Sequence, residues 1–301
     1  MEKLRRAMMF VPGNNPGMLQ NAGIYKADTV IFDVEDSVLV SEKDAARQLV
    51  YQAIKTIHYP CEVAVRINHI TTPYGKDDLA VILPAKPDMI RLPKAETAEE
   101  IEMIDDIISE AEAKNGFPHG SIKMMAAIET AKGLMKAYDI ASASPRMAAL
   151  AIGAEDFLAD LKTTRSSHGN ELFAARSQLL LAARAAGIQA IDTVFSNVND
   201  EEAFIAETIR IKEMGFDGKS VINPRQIKLL YKIFTPSEKE IDLAERVLAA
   251  YQEARARNSG VIALNGKMID VPVVTRAERV IAYAAALGLR KGGNSNDESG
   301  R

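Results

Sequence analysis

Eight short runs of almost wholly apolar residues recur between positions 8 and 222, and a segment of helical character follows each of them. The runs are residues 8–11, 29–32, 63–67, 88–92, 123–128, 147–152, 188–191 together with 193–195, and 220–222. Continuous apolar character without alternation is typical of parallel strands that are covered on both faces. The pattern therefore predicts eight parallel strands.

Helix signals fill the intervals between these runs. The predicted helices cover residues 41–57, 99–114, 131–141, 171–186 and 201–214. The first has a capping start at Ser41, and three others end before a glycine at Gly116, Gly187 or Gly215. Strand and helix thus alternate along the chain.

The number of strand–helix units favours a closed barrel over an open sheet. Eight units over about 230 residues match the eight-stranded barrel, for which about 250 residues is usual. An open doubly wound sheet would be expected to carry a G-x-G-x-x-G turn after its first strand. Residues 11–17 contain glycines without that spacing. We predict an α/β fold, an eight-stranded parallel β/α (TIM) barrel, over residues 1–235.

The pattern changes after the eighth run. A long helix is predicted from Ser237, its N-cap, to about Arg257, and a final helix over 274–289. Between them, Asn265-Gly266 is a strong hairpin signal. Residues 236–290 are therefore predicted to form a helical and hairpin lid that also serves in oligomerisation, and residues 291–301 a disordered tail.

Composition excludes several classes of function. The 301 residues include 37 Lys and Arg against 41 Asp and Glu, a net charge of −4, with 6% aromatic residues and no Trp. Such a chain lacks the basic field and stacking side chains of nucleic-acid-binding proteins. Its single cysteine, Cys61, excludes an internal disulfide and paired-cysteine zinc sites. Without a long apolar run that could span a membrane, we expect a cytoplasmic enzyme.

Candidate active-site residues follow from the barrel prediction, because active sites in such barrels lie at the carboxyl ends of the strands. The polar residues at those positions are Asp33, Glu35, Asp36, Arg66, Asn68, Arg91, Lys94, Glu129, Thr130, Glu155, Asp156, Asp192 and Asn223. Any one of them singly could be a solvated loop residue.

Three of these residues suggest a specific chemistry. Glu129 and Asp156 end neighbouring strands, and two carboxylates without cysteine or histidine partners suit Mg²⁺. A structural pair is the alternative. Arg66 could clamp a substrate carboxylate through two hydrogen bonds. Its alternative role is an ion pair with Glu35 or Asp36.

Eight motifs resemble a known family when taken together. They are MFVPGN at 9–14, FDVEDSV at 32–38, VRIN at 65–68, IRLPK at 90–94, AIET at 127–130, GAEDF at 153–157, GFDGKSVINPR at 215–225 and NGKMID at 265–270. In this order, over residues 4–289, they resemble the citrate lyase β subunits within the acyl-CoA lyases and aldolases, which include malyl-CoA and citramalyl-CoA lyases. One mild departure is Val34, where the family more often has Leu.

The resemblance implies a citryl-CoA lyase that cleaves a citryl thioester into an acetyl thioester and oxaloacetate. It implies that Glu129 and Asp156 bind Mg²⁺, that Glu129 also contacts substrate, and that Arg66 binds a substrate carboxylate. Asp270 would protonate the acetyl carbon from the lid of a neighbouring subunit, although a turn role at a strand end is its alternative.

The resemblance also implies partners and supporting residues. The chain would form a trimer or two trimers and work with an α subunit and an acyl carrier γ subunit that bears a CoA-type group. Glu35 and Asp36 would support Arg66 or the waters around the metal. We further expect Arg5, Arg6 and Lys94 at the barrel rim to meet the phosphates of the carrier.

Two other functions remain open on the sequence. A stand-alone malyl-CoA or citramalyl-CoA lyase would use the same metal and carboxylate residues. A non-catalytic scaffold subunit would have no need for Arg66, Glu129, Asp156 and Asp270 together.

Overall fold

The structure is a computed structural model that describes residues 3–166, 168–256, 263–264 and 267–289. It divides into two compact units. One runs from Arg5 to Ile233, and the other contains the described residues before and after that range.

The larger unit is built on a closed barrel of eight parallel strands. The strands are β1 (Ala7–Pro12), β2 (Thr29–Asp33), β3 (Glu62–Arg66), β4 (Met89–Leu92), β5 (Lys123–Ile128), β6 (Met147–Ile152), β7 (Gln189–Asp192) and β8 (Gly218–Val221). Each strand pairs with the next in the chain, and β8 pairs with β1 through Met8 and Ser220. The predicted eight-stranded β/α barrel is confirmed.

Helices connect the strands. They are α1 (Pro16–Asn21), α2 (Lys43–Thr56), α3 (Gly75–Ile82), α4 (Ala98–Asn115), α5 (Ala131–Met135), α6 (Ala137–Ser142), α7 (Ala154–Asp160), α8 (Phe173–Ala185), α9 (Glu201–Met214) and α10 (Pro224–Phe234). Short 3₁₀ turns lie at Ala22–Tyr25, Val40–Glu42, Leu83–Ala85 and Asn170–Leu172.

Helix α4 shows how local sequence sets these boundaries. Thr97 accepts a hydrogen bond from the Glu100 backbone N–H, and the Glu100 side chain accepts from the Thr97 N–H, which completes a capping box. Gly116 ends the helix in the left-handed region at φ 69°. Both ends lie within one residue of the helix predicted over 99–114, and the predicted stop at Gly116 is confirmed.

The capping start predicted at Ser41 is wrong. Ser41 lies in the 3₁₀ turn, and α2 begins after Glu42, which makes no side-chain capping hydrogen bond. Glu42 instead accepts a 2.6 Å hydrogen bond from Asn14 in the loop after β1. A tertiary contact has displaced the local cap.

Other boundaries also differ from the prediction. Residues 131–141 form two helices, because Lys136 leaves helical geometry (φ −111°, ψ 12°). Residues 193–195 follow β7 as a loop and not as strand, since the ladder to β8 ends at Asp192. Strand β8 begins at Gly218, two residues before the predicted Ser220, because the Lys219 N–H bonds to the Arg6 carbonyl.

The barrel interior is filled from alternate positions along the strands, as the pleat requires. Its apolar cluster consists of Met8, Ile31, Ala64, Met89, Met125, Ala149, Ala151 and Ile191. On each strand, the residue two positions after the cluster residue points into the barrel as well. On β2, β3 and β4 these residues are Asp33, Arg66 and Arg91. The polar site thus lies directly above the apolar floor.

The expectation that Arg5 and Arg6 lie at the ligand-binding rim is wrong. Both precede β1 and are buried at the amino ends of the strands. Arg5 forms an ion pair with Glu62, the first residue of β3, at 2.7 Å, and Arg6 forms one with Asp28 at 2.8 Å. These arginines close the opposite end of the barrel.

The smaller unit packs two helices with a two-stranded sheet. Its elements are α11 (Glu238–Ala256), β9 (Ala263–Leu264), β10 (Lys267–Met268) and α12 (Val271–Ala286). Strands β9 and β10 are antiparallel, as the hairpin prediction requires. Its core is formed by Ala244, Val247, Ile269, Val274 and Ala277.

The ends of the two helices were predicted unequally well. Ser237 caps α11, because its Oγ accepts from the Glu240 N–H. Helix α12 starts three residues earlier than predicted, at Val271, because Asp270 is its N-cap. Asn265, Gly266 and the tail at 291–301 lie outside the described residues. No helix in the described part of the chain is long and apolar enough to cross a membrane.

Candidate active site

A cavity of about 390 Å³ opens at the carboxyl ends of the barrel strands. Its polar lining consists of Asp33, Asp36, Ser37, Arg66, Arg91, Glu129, Glu155, Asp156, Thr193 and Ser220. Phe10, Pro12, Ile152 and Ile222 are among its apolar walls. A volume of this size is ordinary for a small-molecule site.

Arg66 is fixed in this cavity by a bidentate ion pair. Its Nε and Nη2 each donate a 2.7 Å hydrogen bond to Asp33 on the neighbouring strand β2. Backbone N–H groups of Glu35 and Ser37 complete the hydrogen bonding of Asp33. Burial would raise the pKa of Asp33, but Arg66 outweighs it and holds that pKa below its usual range.

Two further acidic residues surround the same guanidinium. Arg66 Nη1 lies 3.0 Å from Glu35 and 3.7 Å from Asp36. Burial raises the pKa of Glu35 above its usual value, although the charge of Arg66 opposes this. A guanidinium has five N–H groups, so these contacts leave hydrogen atoms on the two terminal nitrogens for a ligand.

Glu129, which follows β5, is a buried carboxylate that forms no ion pair with a described residue. The residue is 2% exposed, and its Oε2 has no hydrogen-bond partner among the described residues. Burial and the nearby charge of Glu35 raise the pKa of Glu129 to about 8. A cation placed at Oε2 would satisfy this oxygen.

Gly153 makes room for that carboxylate. A Cβ at this position would lie 2.5 Å from Glu129 Cγ and 2.6 Å from its Oε1. The Gly153 N–H bonds to the Ile128 carbonyl, which keeps the end of β6 beside the end of β5. Glycine is therefore required here for close approach and not for an unusual φ.

Asp156 lies in the first turn of α7. The Ala154 N–H at the start of this helix donates a 3.1 Å hydrogen bond to Thr193 Oγ1, which ties the helix to the end of β7. The Asp156 side chain is 44% exposed and lies 3.6 Å from Lys94. Asp156 also contributes to the raised pKa of Glu129, so the two carboxylates are electrostatic neighbours.

Lys94 bridges two of the acidic groups. It follows β4 with φ 49°, an uncommon value for a residue with a side chain. Its Nζ lies 3.4 Å from Glu35 in addition to its contact with Asp156. Lys94 is thus at the cavity end of the barrel, unlike Arg5 and Arg6.

The carboxylates of this cavity suit Mg²⁺ better than a metal ion that takes all its ligands from the protein. The described residues contain no cluster of three or more His, Cys, Asp or Glu side chains that could hold an ion. Mg²⁺ is usually bound through one or two carboxylates and keeps several waters. The unpartnered oxygen of Glu129 beside Asp156 matches that requirement.

Arg91, on β4, is the second guanidinium in the cavity. It is buried, and the ring of Phe10 lies near both arginines, 5.1 Å from Arg91 Cζ and 4.9 Å from Arg66 Cζ. Its Nη1 donates to the Met125 Sδ at 3.3 Å. Burial and then the charge of Arg66 lower the pKa of Arg91 to about 10, so it is a cation at neutral pH.

The structure brings together most of the predicted site. Arg66, Glu129, Asp156 and Asp36 line one cavity, and Glu35 contacts Arg66. Asp270 belongs to the smaller unit, where it is exposed and its Oδ1 accepts from the Val273 N–H at 3.1 Å.

Other strand-end candidates have contacts outside the cavity. Asp192 is buried against Arg176 and Lys219. Asn68 donates to Asp78 and to a backbone carbonyl, and Thr130 caps α5.

Sequence reasoning did not assign roles to Asp33, Arg91, Gly153 or Thr193. The signal for the first two was available, because each lies two positions after an interior apolar residue of its strand. The role of Gly153 depends on a side chain from another strand, so nothing in the local sequence indicates it.

Comparison with known proteins gives a consistent family. The model described as HpcH/HpaI aldolase/citrate lyase matches residues 6–224. The chain is 53% identical over 286 residues to "Citrate lyase subunit beta" of Leuconostoc mesenteroides subsp. cremoris, covering 95% of each chain. It is 33% identical over 283 residues to "(3S)-malyl-CoA thioesterase" of Cereibacter sphaeroides, covering 94% and 95%.

A solved structure has the same architecture. Protein CitE from Mycobacterium tuberculosis, in complex with magnesium, acetoacetate and coenzyme A, is 31% identical with a TM-score of 0.76. The match covers 95% of this chain and 100% of that one. Its bound ligands are a divalent cation, a small oxo acid and a CoA group.

Proposed function

The chain belongs to the HpcH/HpaI aldolase/citrate lyase family, and we propose that it is the β subunit of a citrate lyase. In that role it is a citryl-CoA lyase, an enzyme that cleaves a carbon–carbon bond. The observation that carries this assignment is the 53% identity to a citrate lyase β subunit over 95% of both chains. The malyl-CoA thioesterase is more distant, at 33%. A malyl-CoA or citramalyl-CoA lyase is therefore not favoured. A non-catalytic scaffold subunit is not favoured either, because it would not need the charged cavity.

The reaction cleaves one carbon–carbon bond. In the citryl thioester, the bond between the hydroxyl-bearing carbon and the methylene next to the thioester carbonyl breaks. The hydroxyl loses its proton and becomes the ketone of oxaloacetate. The bonding electrons pass to the methylene carbon as an enolate, which gains a proton to give the acetyl thioester.

Arg66 is proposed to bind and orient a carboxylate of the substrate. Asp33 holds the guanidinium plane through Nε and Nη2, so the group is oriented before substrate arrives. Glu35 and Asp36 are proposed to support it from the side of Nη1. A guanidinium so fixed needs no rearrangement when it binds an anion.

Glu129 and Asp156 are proposed to hold Mg²⁺, with Glu129 also at the substrate. When bound, the ion supplies Lewis-acid stabilisation of negative charge on oxygen. The support for this is the unpartnered buried oxygen of Glu129 and the carboxylate of Asp156 in the same cavity. Thr193 and Gly153 keep these two carboxylates in position.

Asp270 is proposed to protonate the enolate carbon, acting from a neighbouring subunit. Its exposure leaves the carboxylate accessible, although one oxygen also caps α12. The chain would then need to form a homo-oligomer, a trimer or two trimers, for catalysis.

The chain is further proposed to work in the cytoplasm within a citrate lyase complex. An α subunit would supply the acyl exchange and a γ subunit the acyl carrier with its CoA-type group. Lys94, at the cavity end of the barrel, is the cation we propose to meet the carrier.

A direct assay tests the activity. Purified chain is mixed with citryl-CoA and Mg²⁺, and oxaloacetate is followed with and without EDTA. We expect oxaloacetate that EDTA abolishes. Absence of metal-dependent product would refute the lyase, and faster cleavage of malyl-CoA would favour the malyl-CoA alternative.

Mixing two inactive variants tests the role of Asp270. We expect Asp270→Ala and Arg66→Ala each to lose most turnover, and a mixture to recover part of it through hybrid sites. Native mass spectrometry establishes that subunits have exchanged. No recovery after confirmed exchange would mean that Asp270 does not act in a neighbour's site.

A further inference from the structure

Arg91 is a buried cation without an ion-pair partner among the described residues. It is 3% exposed, and it projects from β4 into the cavity two positions above the apolar Met89. Its Nε has no hydrogen-bond partner among the described residues. The contact of its Nη1 with the Met125 thioether is a weak one for a charged donor.

Other buried arginines in this chain are paired. Arg66 forms a bidentate pair with Asp33, and Arg146 donates two hydrogen bonds to Glu112, at 2.9 and 2.7 Å. Arg91 forms no ion pair with a carboxylate in the part of the chain that the structure describes. The charges of Glu129, Glu35 and Asp33 act on it from beyond ion-pair distance.

An unpaired buried charge is costly, because the group loses its hydration without compensation. The cost is tolerable if a ligand supplies the missing anion. Because the Arg91 side chain lines the cavity, an anion bound there is placed to supply this charge. A carboxylate is a suitable anion, since it matches the guanidinium fork with two hydrogen bonds.

The proposed substrate has one carboxylate more than its closest analogues. A citryl thioester carries two free carboxylates, one on the hydroxyl-bearing carbon and one on the adjoining methylene. A malyl or citramalyl thioester carries only the first. A site with Arg66 alone would serve both kinds of substrate.

We propose that Arg91 binds the second carboxylate of the citryl group and thereby selects citryl over malyl and citramalyl thioesters. This rests on the proposed lyase function and assigns the distinction between its substrates to one residue. Oxaloacetate would keep the same contact after cleavage, because the second carboxylate remains on it.

A pair of small ligands tests the subsite without turnover. Oxaloacetate and pyruvate differ by the second carboxylate, so their dissociation constants are compared by calorimetry in the presence of Mg²⁺. We expect wild type to bind oxaloacetate tighter by about 10-fold to 100-fold, as for a hydrogen-bonded charge pair. In Arg91→Met the difference should fall to about 3-fold or less, with pyruvate binding little changed, while Arg91→Lys should keep part of it.

The same variants separate this role from a structural one. Arg91→Met should not lower Tm, because it removes an unpaired buried charge. Its affinity for Mn²⁺ should stay within about 3-fold of the wild-type value, because neither proposed metal ligand forms an ion pair with Arg91. Its kcat/KM for citryl-CoA should fall by about 100-fold, a larger loss than for malyl-CoA.

An unchanged oxaloacetate-to-pyruvate ratio in Arg91→Met would overturn the proposal, and so would a loss confined to Mn²⁺ binding. If wild type did not cleave citryl-CoA, the proposed function would fall, and the ligand ratio would still decide the subsite.

Discussion

Replacing Gly153 by alanine should move one carboxylate of the site while leaving the fold intact. The new Cβ would lie 2.5 Å from Glu129 Cγ and 2.8 Å from its Cδ. Ordinary carbon contacts are about 3.5–4.0 Å, so the Glu129 side chain must move by about 1 Å. The backbone at Gly153 (φ −102°, ψ 92°) is open to alanine, so the strain falls on a flexible side chain.

A displacement of this size has a predictable effect on catalysis. A shift of about 1 Å in a catalytic group can reduce rate by about 100-fold. Overpacking of this kind costs about 1–3 kcal/mol of stability, and a side chain that can rotate places it at the lower end. We therefore expect kcat/KM for citryl-CoA to fall by about 100-fold and Mn²⁺ binding to weaken, with a small change in Tm.

Gly17→Ala is the matched control. Gly17 lies in α1, where the nearest atom to a new Cβ is Asn15 Oδ1 at 3.5 Å, an ordinary contact. This variant should keep full activity and metal affinity. If Gly153→Ala were as active as Gly17→Ala and bound Mn²⁺ equally well, the position of Glu129 would not matter and the proposed metal site would be wrong.

Three further substitutions test the stability of the fold and the orientation of Arg66. Burial would raise the pKa of Glu112, but hydrogen bonds from Arg146 and two backbone N–H groups lower it to about 2. The ionised Glu112 carboxylate therefore stabilises the fold fully above its unfolded-state pKa of about 4.5, and this stabilisation is lost as the pH falls from there to about 2. This contribution is about 3 kcal/mol at 1.36 kcal/mol per pKa unit. Between pH 6 and pH 2.5, the free energy of unfolding measured by denaturant titration should fall less for Glu112→Gln than for wild type. Equal losses would contradict the assignment. Thr97→Ala removes the cap of α4 and should cost about 1 kcal/mol in urea unfolding with activity unchanged; a cost near zero would show that the capping box is not stabilising. Asp33→Asn should lower kcat/KM by about 100-fold through loss of the orienting ion pair, with Mn²⁺ affinity kept; wild-type turnover would refute that role.

The barrel was predictable because each strand is covered on both faces. Residues 124–128 and 147–152 are apolar without interruption, and they form all of β5 after its first residue and the whole of β6. Helix ends were predictable where the cap is local, as at Thr97 and Gly116. The failure at Ser41 came from Glu42, which bonds to a residue far along the chain.

The candidate site was predictable only in part. Strand-end position indicated that Arg66, Glu129 and Asp156 would converge, and they line one cavity. The ion pairs of Arg66 with Glu35 and Asp36 agree with the sequence, but its bidentate partner Asp33 was not predicted, because the register of β2 against β3 places Asp33 opposite Arg66.

Charge alone did not show at which end of the barrel each cation lies. Arg5, Arg6 and Lys94 were grouped as rim cations by type, but only the last follows a strand. The others precede β1, so the direction of the strand puts them at the opposite end of the barrel.

The most direct test is a crystal structure of the chain with Mn²⁺ and oxaloacetate, in which the anomalous signal locates the metal ion. We expect one anomalous peak within coordination distance of Glu129 and Asp156, and oxaloacetate with one carboxylate at Arg66 and the other at Arg91. Ordered oxaloacetate elsewhere, or a metal peak that touches neither carboxylate, would contradict this expectation.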